Sequence, residues 1–303
     1  MNLGELISRL PVKAVIGDPN VEVKGLAYHS QQVKEGFLFA AILGSKQDGR
    51  RFIPEAISRG AWAILVDEKQ QAPGVTQVIV PDVREALARL SAAFYGDPSF
   101  YLTLIGITGT NGKTTTSYLI ESILAQAGKS VGVMGTVNYR FKDRAQRALT
   151  TTPESLDLQR NLQAMREAGI THAILEVSSH ALDMQRVRGC EFDVALFTNF
   201  TRDHLDYHGS LENYFQAKQL LFTQCLLESQ KKDRFAAINM DDPRGEELSR
   251  VACGTPIRYG VKSRYEVWPE MVEETTEGLR ARVVTPRSSF ALVSSLIGRH
   301  NLY

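Results

Sequence analysis

The chain has 303 residues, of which 43% are hydrophobic and 23% charged, and these fractions are typical of a globular protein with about two domains. A formal net charge of +1 without long runs of one sign gives no support for nucleic acid or a membrane surface as a partner. No stretch approaches the ~18 apolar residues of a membrane span, and the charged N-terminus does not have the pattern of a secretory signal.

Residues 1–98 are predicted to form one small α/β domain. Gly96-Asp97-Pro98 interrupts the pattern, and the boundary with a second domain at 99–303 is placed there. No catalytic constellation is present in this first domain, and its candidate ligand-contacting loops lie around Ser30 and Gly44-Ser45-Lys46. Apolar periodicity predicts strands and helices in the order strand 21–28, strand 37–42, helix 52–57 ended by Gly60, strand 61–66, strand 75–80 and helix 83–94.

The second domain begins with an apolar run at 102–107 and a glycine-rich turn, Gly109-Thr110-Asn111-Gly112-Lys113-Thr114-Thr115. A helical pattern follows and ends at Gly128, with one predicted buried face formed by Tyr118, Leu119, Ile123 and Leu124. Strand, turn and helix together form a phosphate cradle: backbone N–H groups and the helix N-terminus face the phosphates, a lysine reaches the terminal phosphates and a hydroxyl holds Mg²⁺.

The glycine pattern of this turn departs from the strict phosphate-loop sequence G-x-x-x-x-G-K-[ST]. Ile107 stands where that sequence requires its first glycine, and the chain instead has G-x-x-G-x-x-G-K-T from Gly106 to Thr114. The alternative to a phosphate site is a glycine-rich turn that binds no ligand.

Beyond the loop, strands and helices alternate regularly, which predicts a doubly wound, mainly parallel sheet. Ligands of such sheets gather at the carboxyl ends of the strands, which selects Glu176 and Asn199 for the rim of a nucleotide site. The predicted elements are strand 131–134, helix 154–168, strand 173–177, strand 194–198, helix 211–227 and strand 236–239, followed by a β-rich part at 265–295 with its best strands at 280–285 and 290–293.

Three polar features of this domain could carry chemistry. Glu176 ends an apolar strand and is placed to ligate Mg²⁺ on ATP, or it is a strand-end residue that faces solvent. Ser178, Ser179 and His180 follow it and either cap the next element or line a substrate cleft.

The segment TNFTRDHLDYHG at 198–209 is either a solvated loop or a second metal site, and its histidines lack zinc spacing. Lys218 stands among apolar positions of its helix, and periodicity alone predicts a solvated lysine there. Cys190, Cys225 and Cys253 lie far apart, which favours reduced thiols in a cytosol over a disulfide framework or a zinc site.

Taken together, these segments resemble the Mur ligases, ATP-dependent amide-forming enzymes of bacterial peptidoglycan precursor synthesis. GITGTNGKTTT, LTTTPE, LEVSSHAL, TNFTRDHLDYHG, YFQAKQLLF and INMDD stand in that family's order and spacing. SQQVKEGFLFAAILG and DGRRFIPEAISRGAWAILV extend the resemblance to the first domain. Thr151-Thr152-Pro153 with EVSSHAL is similar to the members that add the third stem-peptide residue, meso-diaminopimelate or lysine, to UDP-MurNAc-L-Ala-D-Glu.

The resemblance implies an N-terminal UDP-sugar-binding domain, a central ATP-binding domain and specific roles for single residues. The loop Gly109 to Thr115 would hold the ATP phosphates, with Lys113 on the terminal ones. Thr114 and Glu176 would ligate one Mg²⁺, and His204 and a carbamylated Lys218 would serve a second. This role replaces the surface interpretation of Lys218, because CO₂ converts its amine into an anionic oxygen ligand. Lys113, His204 and Lys218 are the implied catalytic residues, and the implied UDP-sugar-peptide contacts are Ser30, Thr151, Thr152, Ser178 and Arg186.

Two departures from the family pattern affect what can be expected. The family usually has Asp-Ser-Arg where this chain has His29-Ser30-Gln31. The family motif G-x-H-N-x-x-N, which holds the adenine, begins at Gly298 with His300 and Asn301, and the sequence ends at Tyr303 before its last Asn. The family's C-terminal, amino-acid-binding domain is therefore expected to be missing, and this chain alone is expected to bind substrate without being a competent ligase.

The implied reaction is formation of an acyl phosphate from ATP and the D-Glu carboxylate, followed by attack of the amine of the incoming amino acid. We expect a cytoplasmic monomer whose partners are ATP, UDP-MurNAc-L-Ala-D-Glu and an amino acid. One alternative is another amide ligase such as a folylpolyglutamate synthetase. The other is a binding or regulatory module that keeps the nucleotide site without catalysis.

Overall fold

A computed structural model describes residues 1–44 and 47–303. Ser45 and Lys46, part of one candidate ligand-contacting loop, lie outside the described residues. The described chain divides into two compact units. The first comprises Met1–Tyr101, Pro153–Ala168 and Met184–Cys190, and the second comprises Leu102–Thr152, Gly169–Asp183 and Glu191–Tyr303. The segments Pro153–Ala168 and Met184–Cys190 fall within 99–303, the second domain expected from the sequence, but they belong to the first compact unit.

The helices and strands of the described residues are named here in chain order. The α-helices are α1 (Leu3–Ile7), α2 (Ile53–Ser58), α3 (Val83–Phe94), α4 (Lys113–Gln126), α5 (Ser155–Glu167), α6 (Ser179–Asp183), α7 (Leu205–His208), α8 (Leu211–Leu220), α9 (Leu226–Glu228) and α10 (Gly245–Val251). The strands are β1 (Ala14–Ile16), β2 (Gly25–Ala27), β3 (Phe37–Ala40), β4 (Ala61–Val66), β5 (Thr76–Ile79), β6 (Thr103–Thr108), β7 (Val131–Met134), β8 (Asn138–Phe141), β9 (Arg144–Arg147), β10 (His172–Glu176), β11 (Val194–Phe197), β12 (Phe235–Asn239), β13 (Thr255–Tyr259), β14 (Trp268–Thr275), β15 (Gly278–Val284) and β16 (Ser289–Ser294).

The first unit contains a sheet with the strand order β1-β5-β4-β3-β2. Its strands pair in parallel except β1, which is antiparallel to β5. Buried leucines and valines of α1, α3, β3 and β4 form the core on one face of this sheet, and Leu156 of α5 belongs to the same cluster. Asp82 caps α3 by accepting from the backbone N–H groups of Arg84 and Glu85, which explains why this helix begins where the sequence predicts.

The second unit is built on a sheet with the order β13-β12-β11-β6-β10-β7-β8-β9. The pairs from β13 to β7 are parallel, and β8 and β9 add an antiparallel edge. The crossovers place β6 between β10 and β11, so the carboxyl ends of these three strands meet at one edge. A separate antiparallel sheet has the order β14-β15-β16. The expected mixed α/β class with a mainly parallel second sheet is confirmed.

Two local predictions are wrong, and several elements were not predicted, among them α1, β1, α10, β13 and the hairpin of β8 and β9. The strand expected at 21–28 is reduced to Gly25–Ala27. In α4 three of the four residues predicted to be buried, Tyr118, Leu119 and Ile123, are exposed, and Leu119 and Ile123 are 41% and 67% accessible. Leu124 packs toward the sheet as predicted, together with Ile120. The hairpin of β8 and β9 was missed because the residues of β9, RAQR, are all exposed and show no apolar alternation. No helix in the described part of the chain is long and apolar enough to cross a membrane.

Candidate active site

The glycine-rich turn after β6 adopts a conformation that only glycine tolerates. Gly109 has φ +146, and a Cβ on it would lie 1.9 Å from Thr198 Oγ1. Gly112 has φ +85 and occupies the N-cap position of α4. The two glycines therefore let the backbone turn tightly at the carboxyl end of β6 and enter the helix at Lys113, which points the helix N-terminus at the rim of the sheet.

The turn is hydrogen-bonded to the segment that follows β11. The backbone N–H of Thr110 donates to the backbone oxygen of Asn199 at 2.9 Å. The backbone N–H of Asn111 donates to the side-chain Oδ1 of Asn199, also at 2.9 Å. Thr198 Oγ1 donates to the backbone oxygen of Asn111 at 2.7 Å. Asn199, chosen from the sequence as a rim residue, thus holds the turn in place through its backbone and its side chain.

Two lysines meet at one carbonyl of the turn. Lys113 Nζ donates to the backbone oxygens of Gly109 and Thr110, each at 2.9 Å, and Lys218 Nζ donates to the Gly109 oxygen at 2.8 Å. Lys218 is only 2% exposed and its Nζ lies 4.5 Å from the ring centre of Tyr214. The solvated position that periodicity predicts for Lys218 is therefore wrong, because α8 packs this face of the helix against the phosphate turn.

Burial makes both amines less basic than usual. Burial lowers the pKa of Lys113, against the opposing attraction of Glu176 and Asp203. The pKa of Lys218 is lowered well below its ordinary value, first by burial and then by repulsion from the Lys113 ammonium. The Lys218 amine is therefore the group of this pair that is more readily found in its neutral, nucleophilic form.

Glu176 is buried at the end of β10, which removes the alternative of a solvent-facing carboxylate. Thr114 Oγ1 and Thr136 Oγ1 each lie 2.9 Å from its Oε2, and Ser117 Oγ lies 3.5 Å from its Oε1. The first hydroxyl comes from the first turn of α4, so the carboxylate lies directly beside the phosphate turn. The sheet order explains this contact, because β10 is the parallel neighbour of β6.

The Thr114–Glu176 pair has the chemistry and the spacing that Mg²⁺ requires. Octahedral Mg²⁺ with ligands at about 2.1 Å places neighbouring oxygens about 2.8–3.0 Å apart, and the two side-chain oxygens are separated by 2.9 Å. Within residues 1–44 and 47–303, no group of three or more His, Cys, Asp or Glu side chains is arranged to hold a metal ion. A hydroxyl and one carboxylate therefore fit a Mg²⁺ that takes its other ligands from phosphates and water.

Histidines and tyrosines cluster next to Lys218. The ring of His180 lies 4.9 Å from that of His204 and 5.4 Å from that of His208, measured between centroids. His204 has φ +48, and its Nε2 lies 3.6 Å from Asp203 Oδ2. His208 is buried against Ser179, and burial followed by repulsion from His180 lowers its pKa. Segment 198–209 is thus partly packed, not a fully solvated loop.

Thr152 and Ser178 are brought together behind Glu176. Thr152 Oγ1 lies 2.8 Å from the backbone oxygen of Glu176 and accepts from the backbone N–H of Ser178 at 3.1 Å. Thr151 Oγ1 lies 3.1 Å from Thr136 Oγ1. Ser178 Oγ accepts a hydrogen bond from the backbone N–H of Ala181 and therefore caps the start of α6, as one of the two sequence-based interpretations expects.

The remaining predicted contacts are placed as follows. In the first unit, the Ser30 hydroxyl donates to Glu55 Oε2 at 2.6 Å, and Arg186 Nε lies 3.4 Å from Glu154 Oε2. In the second unit, His300 and Asn301 lie in a 3₁₀ turn, Arg299–Leu302, that lines a cavity of about 940 Å³. This cavity extends from the first turn of α4 to the ends of β11, β12 and β13.

Sequence reasoning missed Thr136 and Tyr214. Thr136 lies two residues beyond the end of β7, and the rule that selected residues at the ends of β10 and β11 would also have selected this position. Tyr214 is fully buried, and its hydroxyl lies 3.3 Å from Thr110 Oγ1. An apolar helix position gives no sign in the sequence that its hydroxyl will reach the phosphate turn.

Comparisons with known proteins assign the fold and the family. A model described as the Mur ligase middle domain matches residues 107–303, and one described as the Mur ligase family catalytic domain matches residues 22–95. Relatives include the UDP-N-acetylmuramoyl-L-alanyl-D-glutamate--2,6-diaminopimelate ligases of Geobacter metallireducens, 44% identical over 305 residues, and Geobacillus thermodenitrificans, 43% identical over 304 residues. The alignments cover 100% of this chain and 60% and 62% of these relatives.

A solved structure of a UDP-N-acetylmuramoyl-L-alanyl-D-glutamate--2,6-diaminopimelate ligase is 28% identical, with a TM-score of 0.85 over 100% of this chain and 61% of that one. The chain thus spans about three fifths of the length of the relatives that it matches. The middle-domain match covers more than half of the sequence and includes the phosphate turn from Ile107 onward, Glu176, His204 and Lys218. The chain belongs to the Mur ligase family.

Proposed function

We propose that this chain supplies the ATP and UDP-sugar-peptide sites of a ligase that adds 2,6-diaminopimelate, or alternatively lysine, to UDP-MurNAc-L-Ala-D-Glu in peptidoglycan synthesis. The observation that carries the proposal is the Thr114–Glu176 pair at the phosphate turn, with its 2.9 Å spacing. The names of the relatives support the substrate and the amino acid. We also propose a cytoplasmic location, because the reaction uses ATP, and a monomer, because the turn, the Thr114–Glu176 pair and Lys218 of the nucleotide site all come from one chain.

The reaction would proceed in two substitutions on the substrates. An oxygen of the D-Glu side-chain carboxylate attacks the γ-phosphorus of ATP, ADP leaves, and an acyl phosphate forms. The amine of the incoming amino acid then attacks the acyl carbon, phosphate leaves, and the amine loses a proton as the amide forms. Lys113 would turn from the loop carbonyls to the terminal phosphates, where its charge stabilises the transferring oxygens.

Thr114 and Glu176 are the proposed ligands of one Mg²⁺, which when bound neutralises the charge of the transferring phosphate. We propose that Lys218 becomes carbamylated and, with His204, serves a second Mg²⁺. The buried amine supports this, because only the neutral amine attacks CO₂ and its pKa is lowered well below the ordinary value. The carbamate would be an anionic oxygen ligand, which a hard divalent cation prefers.

Contacts with the UDP-sugar dipeptide are assigned to Ser30, Thr151, Thr152, Ser178 and Arg186. The adenine is assigned to the cavity beside His300 and Asn301, whose volume of about 940 Å³ is sufficient for a nucleoside. The UDP-sugar contacts follow the order of the family motifs, and the adenine assignment follows the position of His300 and Asn301 at the cavity.

Isothermal titration of the purified chain tests the proposal. We expect UDP-MurNAc-L-Ala-D-Glu and Mg²⁺ with a non-hydrolysable ATP analogue to bind, and a reduced folate to give no heat. Binding of the folate in place of the UDP-sugar would favour the folylpolyglutamate-type alternative. Absence of heat with both UDP-sugar and nucleotide at millimolar concentration would contradict the proposal.

Glu176→Gln tests the metal assignment. We expect it to weaken the binding of the Mg²⁺-loaded ATP analogue by about 10–100-fold, because loss of the anionic oxygen costs about 1.4–2.8 kcal/mol at 1.4 kcal/mol per tenfold change. The measurement is titration at several Mg²⁺ concentrations. Glu121→Gln, which removes an ion pair between Glu121 of α4 and Arg140 of β8, is the matched control and should bind as the unmodified chain does. Equal affinity in the two variants would refute the assignment.

A further inference from the structure

Thr136 lies between two groups that have been assigned to different ligands. Its Oγ1 is 2.9 Å from Glu176 Oε2 and 3.1 Å from Thr151 Oγ1. Glu176 is the proposed metal ligand of the nucleotide site, and Thr151 is a proposed contact of the UDP-sugar dipeptide. Thr136 itself has no role in the function proposed above.

The direction of these hydrogen bonds follows from counting protons. A hydroxyl has one proton to donate, and an ionised carboxylate only accepts. Thr136 therefore donates to Glu176, which leaves Thr151 as the donor to Thr136. The result is a directed chain from Thr151 through Thr136 to Glu176, and Thr114 donates to the same carboxylate oxygen from the side of the phosphate turn.

The position of Thr136 is fixed by the backbone. Met134 of β7 pairs with Leu175 of β10, so the turn after β7 lies beside the end of β10. A Cβ on Gly135 would lie 2.1 Å from Glu176 Oε1. Only glycine at this position lets the backbone approach the carboxylate so closely, and this approach brings the Thr136 hydroxyl to Oε2.

We propose that Thr136 is a positioning residue that couples binding of the UDP-sugar dipeptide at Thr151 to binding of Mg²⁺-ATP at Glu176. The proposal rests on the proposed function. Hydrogen bonds in a chain polarise one another. A substrate anion that accepts the hydrogen bond of Thr151 Oγ1 in place of Thr136 removes that polarisation from Thr136. The donation of Thr136 to Glu176 is then weaker, and more carboxylate charge is left for the metal. Each ligand then raises the affinity for the other by the same factor.

Titrations with one and with both ligands test this coupling. In the unmodified chain, saturating UDP-MurNAc-L-Ala-D-Glu should raise the affinity for Mg²⁺ with a non-hydrolysable ATP analogue by about fivefold. Thr136→Val should reduce this factor to about one, while each ligand still binds alone. Thr136→Ser keeps the hydroxyl and should keep the coupling. Thr136→Ala is a second variant for the case that the valine variant does not fold. Because Thr136 is exposed, the shorter alanine side chain leaves no buried cavity.

Thr223→Val is the matched control, because it also removes one threonine hydroxyl, which donates to the backbone oxygen of Gln219 four residues earlier. It should keep the coupling factor of the unmodified chain. If the unmodified chain bound neither ligand, the proposed function would fail. If it bound both, and Thr136→Val or Thr136→Ala kept the same coupling factor, the role of Thr136 would be overturned while the proposed function would stand.

Discussion

Gly109→Ala is expected to weaken the binding of Mg²⁺-ATP by about 100-fold. Gly109 has φ +146, and its added Cβ would lie 1.9 Å from Thr198 Oγ1. The backbone must therefore rotate, at a cost of about 1–3 kcal/mol, and rotation breaks the bonds that hold Thr110 and Asn111 to Asn199. Titration with a non-hydrolysable ATP analogue measures the effect.

Gly128→Ala is the control for this prediction. Gly128 also has positive φ, +74, but no atom lies within 4 Å of a Cβ built there, and the residue lies beyond the last turn of α4. We expect the Gly128→Ala substitution to lower the free energy of unfolding by about 1 kcal/mol and to leave the affinity for the nucleotide unchanged. Equal affinities for Gly109→Ala and the unmodified chain would show that the turn does not hold the phosphates.

Lys218→Met is expected to raise the free energy of unfolding by about 1–4 kcal/mol at pH 7 in bicarbonate-free buffer. Burial holds the folded-state pKa of Lys218 well below its ordinary value, so the unfolded chain binds more protons between the two pKa values. The free energy of unfolding of the unmodified chain therefore rises with pH between the folded-state and the unfolded-state pKa of Lys218. The advantage of the methionine variant should shrink as the pH rises from 7 toward 10.

Chemical denaturation at pH 7 and pH 10 checks this expectation. Lys232→Met provides the control, because Lys232 is exposed and its replacement should change stability by less than about 0.5 kcal/mol at both pH values. A Lys218→Met variant that is less stable than the unmodified chain at pH 7, or whose difference does not vary with pH, would contradict the account of a buried amine with a lowered pKa.

The elements were predictable wherever a local signal determined them. Helix α3 begins after the capping residue Asp82 and has an apolar face that the spacing of its leucines shows. Most strands of the parallel sheet are short apolar runs bounded by turn residues, and their positions followed from that pattern. Strand β13 has exposed and half-buried residues without an apolar run, and it was not predicted. Three of the four residues predicted to be buried in α4 are exposed, because the phosphate turn, and not the apolar spacing, fixes how this helix packs on the sheet.

Lys218 shows what local patterns cannot reveal about the site. Its environment is set by the Gly109 carbonyl, 109 positions earlier in the chain, and by the Tyr214 ring, and neither contact affects the periodicity of α8. The family resemblance singled out this lysine, whereas composition and spacing predicted a solvated side chain. Thr136 is the opposite case, because the rule for strand ends would have found it had the end of β7 been considered.

A crystal structure of the chain with Mg²⁺ and a non-hydrolysable ATP analogue tests the central claim most directly. The account predicts phosphates at the turn that precedes α4, with Mg²⁺ bound by Thr114 Oγ1 and Glu176 Oε2 at about 2.1 Å. A nucleotide bound elsewhere, or a metal ion that Glu176 does not contact, would contradict it.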